Sequence, residues 1–210
     1  LNGDGTGVTG IPSGYDDLDR MTAGFQNSDL IIVGARPSVG KTAFGLNIGR
    51  NAAKITRKGI AIFSLEMSEK QLVNRMISAE MNIDAGRIRT GHLIGDDWEK
   101  LTMAVSALSD YPILIDDTPG ITVSEIRAKC RKLKKDEDLG MILIDYLQLI
   151  ESAHRNGANR QQEISEISRN LKHLAKELDV PIIAFSQLSR GVEQRQDKRP
   201  MMLTYGNRLH

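Results

Sequence analysis

Short, nearly continuous apolar runs recur along the chain at Asp29–Val33, Ile60–Leu65, Ile113–Ile115, Met141–Asp145 and Pro181–Ser186. Each reads as a strand, and the lack of alternation within them means that both faces are covered. Between them, apolar residues return three or four positions apart over about 40–55, 68–81, 97–109, 122–135 and 161–179, the spacing of helices with one buried stripe. Ile164, Ile167, Leu171, Leu174, Ala175 and Leu178 trace such a stripe. Buried strands separated by helices predict an α/β fold, a mostly parallel sheet with helices on both faces. Residues 1–14 carry Gly3, Gly5, Gly7, Gly10 and Gly14 with little apolar content and read as the end of a flexible linker. Residues 15–202 then form the core, and residues 203–210 a divergent tail. There are no internal repeats and no low-complexity tract.

In an open parallel sheet, ligands gather beyond the carboxyl ends of the strands. The first strand leads directly into such a site. The run Ala35, Arg36, Pro37, Ser38, Val39, Gly40, Lys41, Thr42 follows it and opens a helix. This is the arrangement of a phosphate cradle. Backbone N–H groups of a tight turn and the positive end of a helix dipole face an anion, Lys41 neutralises charge on β- and γ-phosphates, and the Thr42 hydroxyl ligates Mg²⁺. The pattern departs at one place, where its first glycine is Ala35 and Gly34 stands one position earlier. Alanine has the smallest side chain after glycine, so the loop is retained. The expected ligands are ATP or another nucleoside triphosphate, with Mg²⁺.

Other strand ends carry matching chemistry. The second strand is followed by Glu66, the fourth ends in Asp145, and the fifth runs into Ser186 and Gln187. An apolar strand closing in Asp suits support of Mg²⁺ beside Thr42. Glu66 is placed to orient an attacking water or take its proton. Gln187 has the uncharged polar head that can sense a γ-phosphate and report its loss to a following loop. The catalytic candidates are therefore Glu66, Lys41 and Gln187, the cofactor-binding candidates are Ala35 to Thr42, and the metal candidates are Thr42 and Asp145.

Composition narrows the picture without redirecting it. The chain of 210 residues, 40% hydrophobic and 26% charged, has the make-up and length of about one globular domain. A net charge of +1 provides no bulk attraction for nucleic acid, so any such partner must be held by local basic groups. The lone Cys130 excludes a disulfide framework and a cysteine metal cluster, and suits a reducing, cytoplasmic setting. His92, His154, His173 and His210 are scattered without metal-ligand spacing. No apolar run approaches the length of a membrane span, and the first residues lack a signal-peptide layout. The densest basic run, Arg127, Lys129, Arg131, Lys132, Lys134 and Lys135, overlies a helix whose Ile126 and Leu133 face inward, and reads as a solvated helix face.

Taken together, these motifs resemble the RecA-like motor domain of the bacterial replicative DNA helicase of the DnaB type. The resemblance covers about residues 8–202. It is carried by the entry Thr9-Gly-Ile-Pro-Ser-Gly-Tyr-Asp-Asp-Leu-Asp19 with Thr22-Ala-Gly-Phe25, by the loop Ala35–Thr42, by Phe63-Ser-Leu-Glu-Met67, and by Ile144-Asp-Tyr-Leu-Gln-Leu149 with Phe185-Ser-Gln-Leu-Ser-Arg190. The entry and the loop are common to RecA-like ATPases, whereas the Ser-Leu-Glu-Met and Asp-Tyr-Leu-Gln strings are more specific. The resemblance implies a P-loop NTPase that forms a homohexamer, translocates on single-stranded DNA by hydrolysing nucleotide during DNA replication, and meets a helicase loader and primase. Position by position, it implies that Lys41 and Thr42 hold phosphates and Mg²⁺, that Glu66 is the catalytic base, that Asp145 supports the metal and that Gln187 couples phosphate state to DNA-facing loops. It places a loop toward the DNA channel at 151–162, where Arg155, Asn159 and Arg160 are the DNA-binding candidates. The alternatives are another RecA-like ATPase, such as a recombinase or signalling ATPase, and an assembly module that binds nucleotide without hydrolysing it.

After Met202 the sequence leaves the family pattern, and the chain begins at Leu1. The expectation is a fragment without the family's N-terminal helical domain, second DNA-facing loop and basic finger. Arg208 does not match the finger's surroundings. A missing trans-acting arginine costs about 10³–10⁵ in turnover in related phosphoryl-transfer systems. The fragment is therefore expected to bind nucleotide and to hydrolyse it slowly.

Overall fold

The computed structural model describes residues 9–35, 39–150, 159–187 and 201–205. Strands β1 (Leu30–Ala35), β2 (Gly59–Ser64), β3 (Ile113–Asp116), β4 (Leu139–Asp145), β5 (Ile182–Gln187) and β6 (Met201–Tyr205) form one sheet in the order β3-β2-β4-β5-β1-β6. The strands β1 to β5 pair in parallel, and β6 runs antiparallel to β1. The helices are α1 (Asp16–Thr22), α2 (Val39–Thr56), α3 (Glu69–Met81), α4 (Ala85–Thr90), α5 (Asp97–Ser109), α6 (Val123–Asp136) and α7 (Arg160–Leu178).

The uninterrupted apolar strands are explained by two cores, one on each side of the sheet. Along β4, Met141 and Leu143 face the core that contains Leu46 and Ile48 of α2 and Leu72 of α3. Ile142 and Ile144 face the opposite core, with Ile126 and Cys130 of α6 and Leu171 and Leu174 of α7. All seven residues of β4 are buried, and burying one such aliphatic side chain contributes about 1.5–3 kcal/mol. Two glycines inside α2 set how closely it lies on the sheet. A Cβ at Gly45 would stand 2.8 Å from the Phe185 ring, and one at Gly49 2.8 Å from Leu143 Cδ1.

Helix starts are chemically marked. Ser68 caps α3 in a reciprocal box with Gln71, Thr122 caps α6, and Asn159 caps α7. Four of the six basic residues on α6 are engaged within the fold. Lys129 pairs with Asp116 at 2.5 Å, Arg131 and Arg127 with Glu177 of α7 at 2.5 and 3.8 Å, and Lys134 donates to the Leu139 carbonyl. Burial pushes the Asp116 carboxyl up, but bonds from Lys129 and Thr118 outweigh it and hold the group below its ordinary value. A depressed folded pKa contributes stability above the unfolded pKa, and that contribution is lost as pH falls through the folded value. Asp116→Asn is therefore expected to flatten the acid limb of stability from about pH 4 downward. Urea unfolding of both proteins across that range checks it, and parallel limbs would refute it.

Several elements differ from the expectation. The helices α1 and α4 are six or seven residues long, too short to show a helical stripe. Residues 9–13, expected within a flexible linker, are tied into the fold. Thr9 and Gly10 donate to the Ala23 carbonyl, Ile11 bridges Phe25, and the Ser13 amide and hydroxyl each donate to Asp19 Oδ1 at 2.7 Å. The cause is polar pairing between neighbours, which apolar periodicity does not register. Asn51 and Asn47 of α2 then bond the Ser13 carbonyl and the Tyr15 hydroxyl, so this entry braces the helix that follows the loop. Strand β6 runs to Tyr205 and so passes the boundary expected at 202. It pairs with β1 from Leu30↔Tyr205 to Gly34↔Met201.

Candidate functional site

Parallel pairing places the carboxyl ends of β1, β2, β4 and β5 at one end of the sheet. Ala35 is the register partner of Gln187, and Ser64 of Asp145. The loop after β1 leads into α2, which begins at Val39, so Lys41 and Thr42 lie in its first turn. Residues Arg36, Pro37 and Ser38 lie outside the described residues, as does Arg155.

The centre of the site is the Lys41 ammonium. Its side chain is 2% exposed, with Asp145 Oδ1 at 2.9 Å and Glu66 Oε2 at 3.3 Å. It also lies over the Tyr146 ring, 4.6 Å from the centroid, a contact that favours a cation. The fold thus joins three candidates that are far apart in sequence. Thr42 adds a fourth, its hydroxyl donating to Asp145 Oδ2 at 3.4 Å.

Glu66 is held by its turn. The Ser64 hydroxyl donates to the Met67 carbonyl at 2.6 Å and closes the turn, while Leu65 N–H donates to the Asp145 carbonyl at 2.8 Å. The Glu66 side chain is 44% exposed, so water reaches the carboxylate that Lys41 anchors. Asp145 is different. Its Oδ1 is buried and faces Lys41 as an ion contact without an aligned hydrogen bond. That orphaned oxygen, beside the Thr42 hydroxyl, is a hard donor set of the kind that Mg²⁺ accepts, since Mg²⁺ takes one or two protein oxygens and completes its shell with phosphate and water. Among the described residues there is no cluster of three or more His, Cys, Asp or Glu that could hold a metal by themselves.

Sequence reasoning overlooked one participant. Gln148, in a 3-10 turn at Leu147–Leu149, uses its carboxamide on the end of β5. Its Nε2 donates to Ser186 Oγ at 2.9 Å and to the Gln187 carbonyl at 3.1 Å, and its Oε1 accepts from Gln187 N–H at 3.2 Å. The available signal was an amide three residues beyond the strand-ending Asp145. The DNA-binding candidates within the described residues have local duties as well. Asn159 caps α7, and Arg160 pairs with Glu163 at 3.0 Å and donates to the Gln148 carbonyl. A separate cleft of about 400 Å³ between α2, α3 and α4, lined in part by Asn47, Arg50, Arg75 and Asp84, contains none of the strand-end groups. We place the chemistry at the strand ends, where the charged residues converge.

Comparison with known proteins bears on the whole of this architecture. The family model described as the DnaB-like helicase C terminal domain matches residues 10–204. The chain belongs to that family. A replicative DNA helicase of Bacillus subtilis, DnaC, is 68% identical over 195 residues, and the replicative DNA helicase DnaB of Geobacillus stearothermophilus is 67% identical over 195. Each match covers 93% of this chain and 43% of the relative, so the chain spans less than half the length of these proteins. Among solved structures, the ATPase domain of G40P superimposes with a TM-score of 0.87 at 44% identity, covering 95% of this chain and 70% of that one. A DnaB-like replicative helicase studied with primase superimposes with a TM-score of 0.84 at 45% identity, covering 92% of this chain and 47% of that one. The DnaB-like fold is therefore a RecA-like α/β sheet, and membership in the family implies nucleotide binding. No described helix is long and apolar enough to cross a membrane.

Proposed function

We propose that this domain is the ATP-driven motor of a replicative DNA helicase, coupling hydrolysis to translocation along single-stranded DNA. The observation that carries the proposal is the buried Lys41 ammonium held between Asp145 and Glu66 at the start of α2. An incoming triphosphate takes over the Lys41 contacts, and this frees Glu66 to act on water. Lys41 binds the β- and γ-phosphates, Glu66 accepts the proton of the attacking water or orients it, and Gln187 bonds the γ-phosphate. Thr42 and Asp145 would hold Mg²⁺. When bound, Mg²⁺ neutralises charge on the phosphate oxygens.

Single-stranded DNA is the proposed second ligand, approached by Arg155, Asn159 and Arg160. A homohexameric ring is the proposed assembly, with loader and primase as further partners in the cytoplasm. Ile94, Trp98 and Met103, exposed around α5, supply apolar surface that suits contact with another subunit. The test is binding of ATP with Mg²⁺, followed by single-stranded DNA binding over a salt series. If about three phosphates are neutralised, log K falls with log salt at a slope of about −2. Absence of nucleotide binding would overturn the motor, and a flat salt response would overturn DNA as its track.

A further inference from the structure

We propose that Gln148 is a positioning residue that sets the orientation of Gln187, and through it the preference of the site for a nucleoside triphosphate over a diphosphate. The inference rests on the reading of Gln187 as the γ-phosphate contact. Pairing of β4 with β5 ends at Ile144↔Ala184, whereas pairing of β1 with β5 continues to Ala35↔Gln187. The last residues of β5 have therefore outrun their β4 neighbour. Gln148 stands in for the absent strand. One carboxamide accepts the Gln187 N–H and donates to the Gln187 carbonyl, which is the bonding a neighbouring strand would supply. Both backbone groups of Gln187 are thereby bonded to Gln148, while Ala35, which begins the phosphate loop, is its register partner on the β1 side. Both backbone groups need these particular partners, so the carboxamide has one consistent orientation.

The support for Gln148 is itself rigid. Leu147 and Ile150 on either side are 1% exposed, and the Gln148 carbonyl accepts from Arg160 at the start of α7. The 3-10 turn is thus pinned by core packing and by a guanidinium. The Gln148 carboxamide is engaged by Ser186 and Gln187. It acts through Gln187, as residues behind a reacting group do when they lock its geometry.

The experiment compares dissociation constants for ADP and for a non-hydrolysable ATP analogue, both with Mg²⁺, in the wild type and in Gln187→Ala, Gln148→Met, Gln148→Glu and Gln148→Asn. Loss of a hydrogen bond to a charged phosphate lowers the triphosphate-over-diphosphate ratio about tenfold in Gln187→Ala and in Gln148→Met, while ADP affinity stays within about twofold. Gln148→Glu keeps the acceptor for Gln187 N–H and loses the donor, so it falls between wild type and Gln148→Met. Gln148→Asn is one methylene short and resembles Gln148→Met. A purely structural role would weaken both nucleotides together, and that result would overturn the proposal. Loss of discrimination in Gln187→Ala but not in any Gln148 variant would overturn it too, leaving the reading of Gln187 intact. A wild type that binds neither nucleotide would overturn the motor itself. Should Gln148→Met not fold, the graded Gln148→Glu response decides.

Discussion

In the homohexameric motor proposed above, Glu66→Gln leaves ATP binding within about twofold and lowers turnover about 10²–10⁴-fold, the contribution of a positioned general base. Glutamine keeps the length and the acceptor oxygen of Glu66 but cannot take a proton. The Lys41 contact at 3.3 Å becomes a bond to a neutral oxygen. Because Glu66 is 44% exposed, water solvates whatever replaces the carboxylate and the fold is little affected. Loss of a charge beside Lys41 leaves more positive potential for the phosphates, so binding does not suffer. Steady-state phosphate release and nucleotide titration in parallel check this. Unchanged turnover would remove Glu66 from catalysis and favour a module that binds nucleotide without hydrolysing it.

Lys41→Met has the opposite profile. Nucleotide affinity falls about 10–100-fold, the loss of one charge-assisted contact to phosphate. Stability falls as well, because Asp145, with a side chain only 12% exposed, loses its counter-ion. Removing one partner of a buried pair costs about 3–5 kcal/mol, which for a chain of this size lowers Tm by about 6–20 °C. The two effects separate in a double variant. Lys41→Met with Asp145→Asn removes the stranded carboxyl, so stability recovers while nucleotide binding does not. Thermal unfolding and nucleotide titration of both single variants and of the double variant close the cycle. If stability fails to recover, the pair is not what Lys41 contributes to the fold.

The strand-and-helix order was legible because each strand is buried on both faces and each long helix on one, and these burials imprint distinct periods on the chain. Met141 to Ile144 and the stripe from Ile164 to Leu178 are examples, and both match the structure. Short elements carried no such imprint. In α1 the one buried residue is Asp19, a polar group whose partner Ser13 is visible only in space. Strand β6 exists through its pairing with β1, an alliance that nothing local in Met201–Tyr205 announces.

The site divides along the same line. The chain by itself determined which groups stand at the strand ends, because a parallel sheet sends every strand's carboxyl end to the same side, so Lys41, Thr42, Glu66, Asp145 and Gln187 were all named from local pattern. Only the tertiary structure decided their distances: that one buried ammonium contacts both carboxylates, that Ser64 closes the turn beneath Glu66, and that Gln148 completes the end of β5 where β4 stops. Periodicity records which face of an element is dry. It does not record a hydrogen bond between two elements, because such a bond depends on the register of strands that are neighbours in the sheet and distant along the chain.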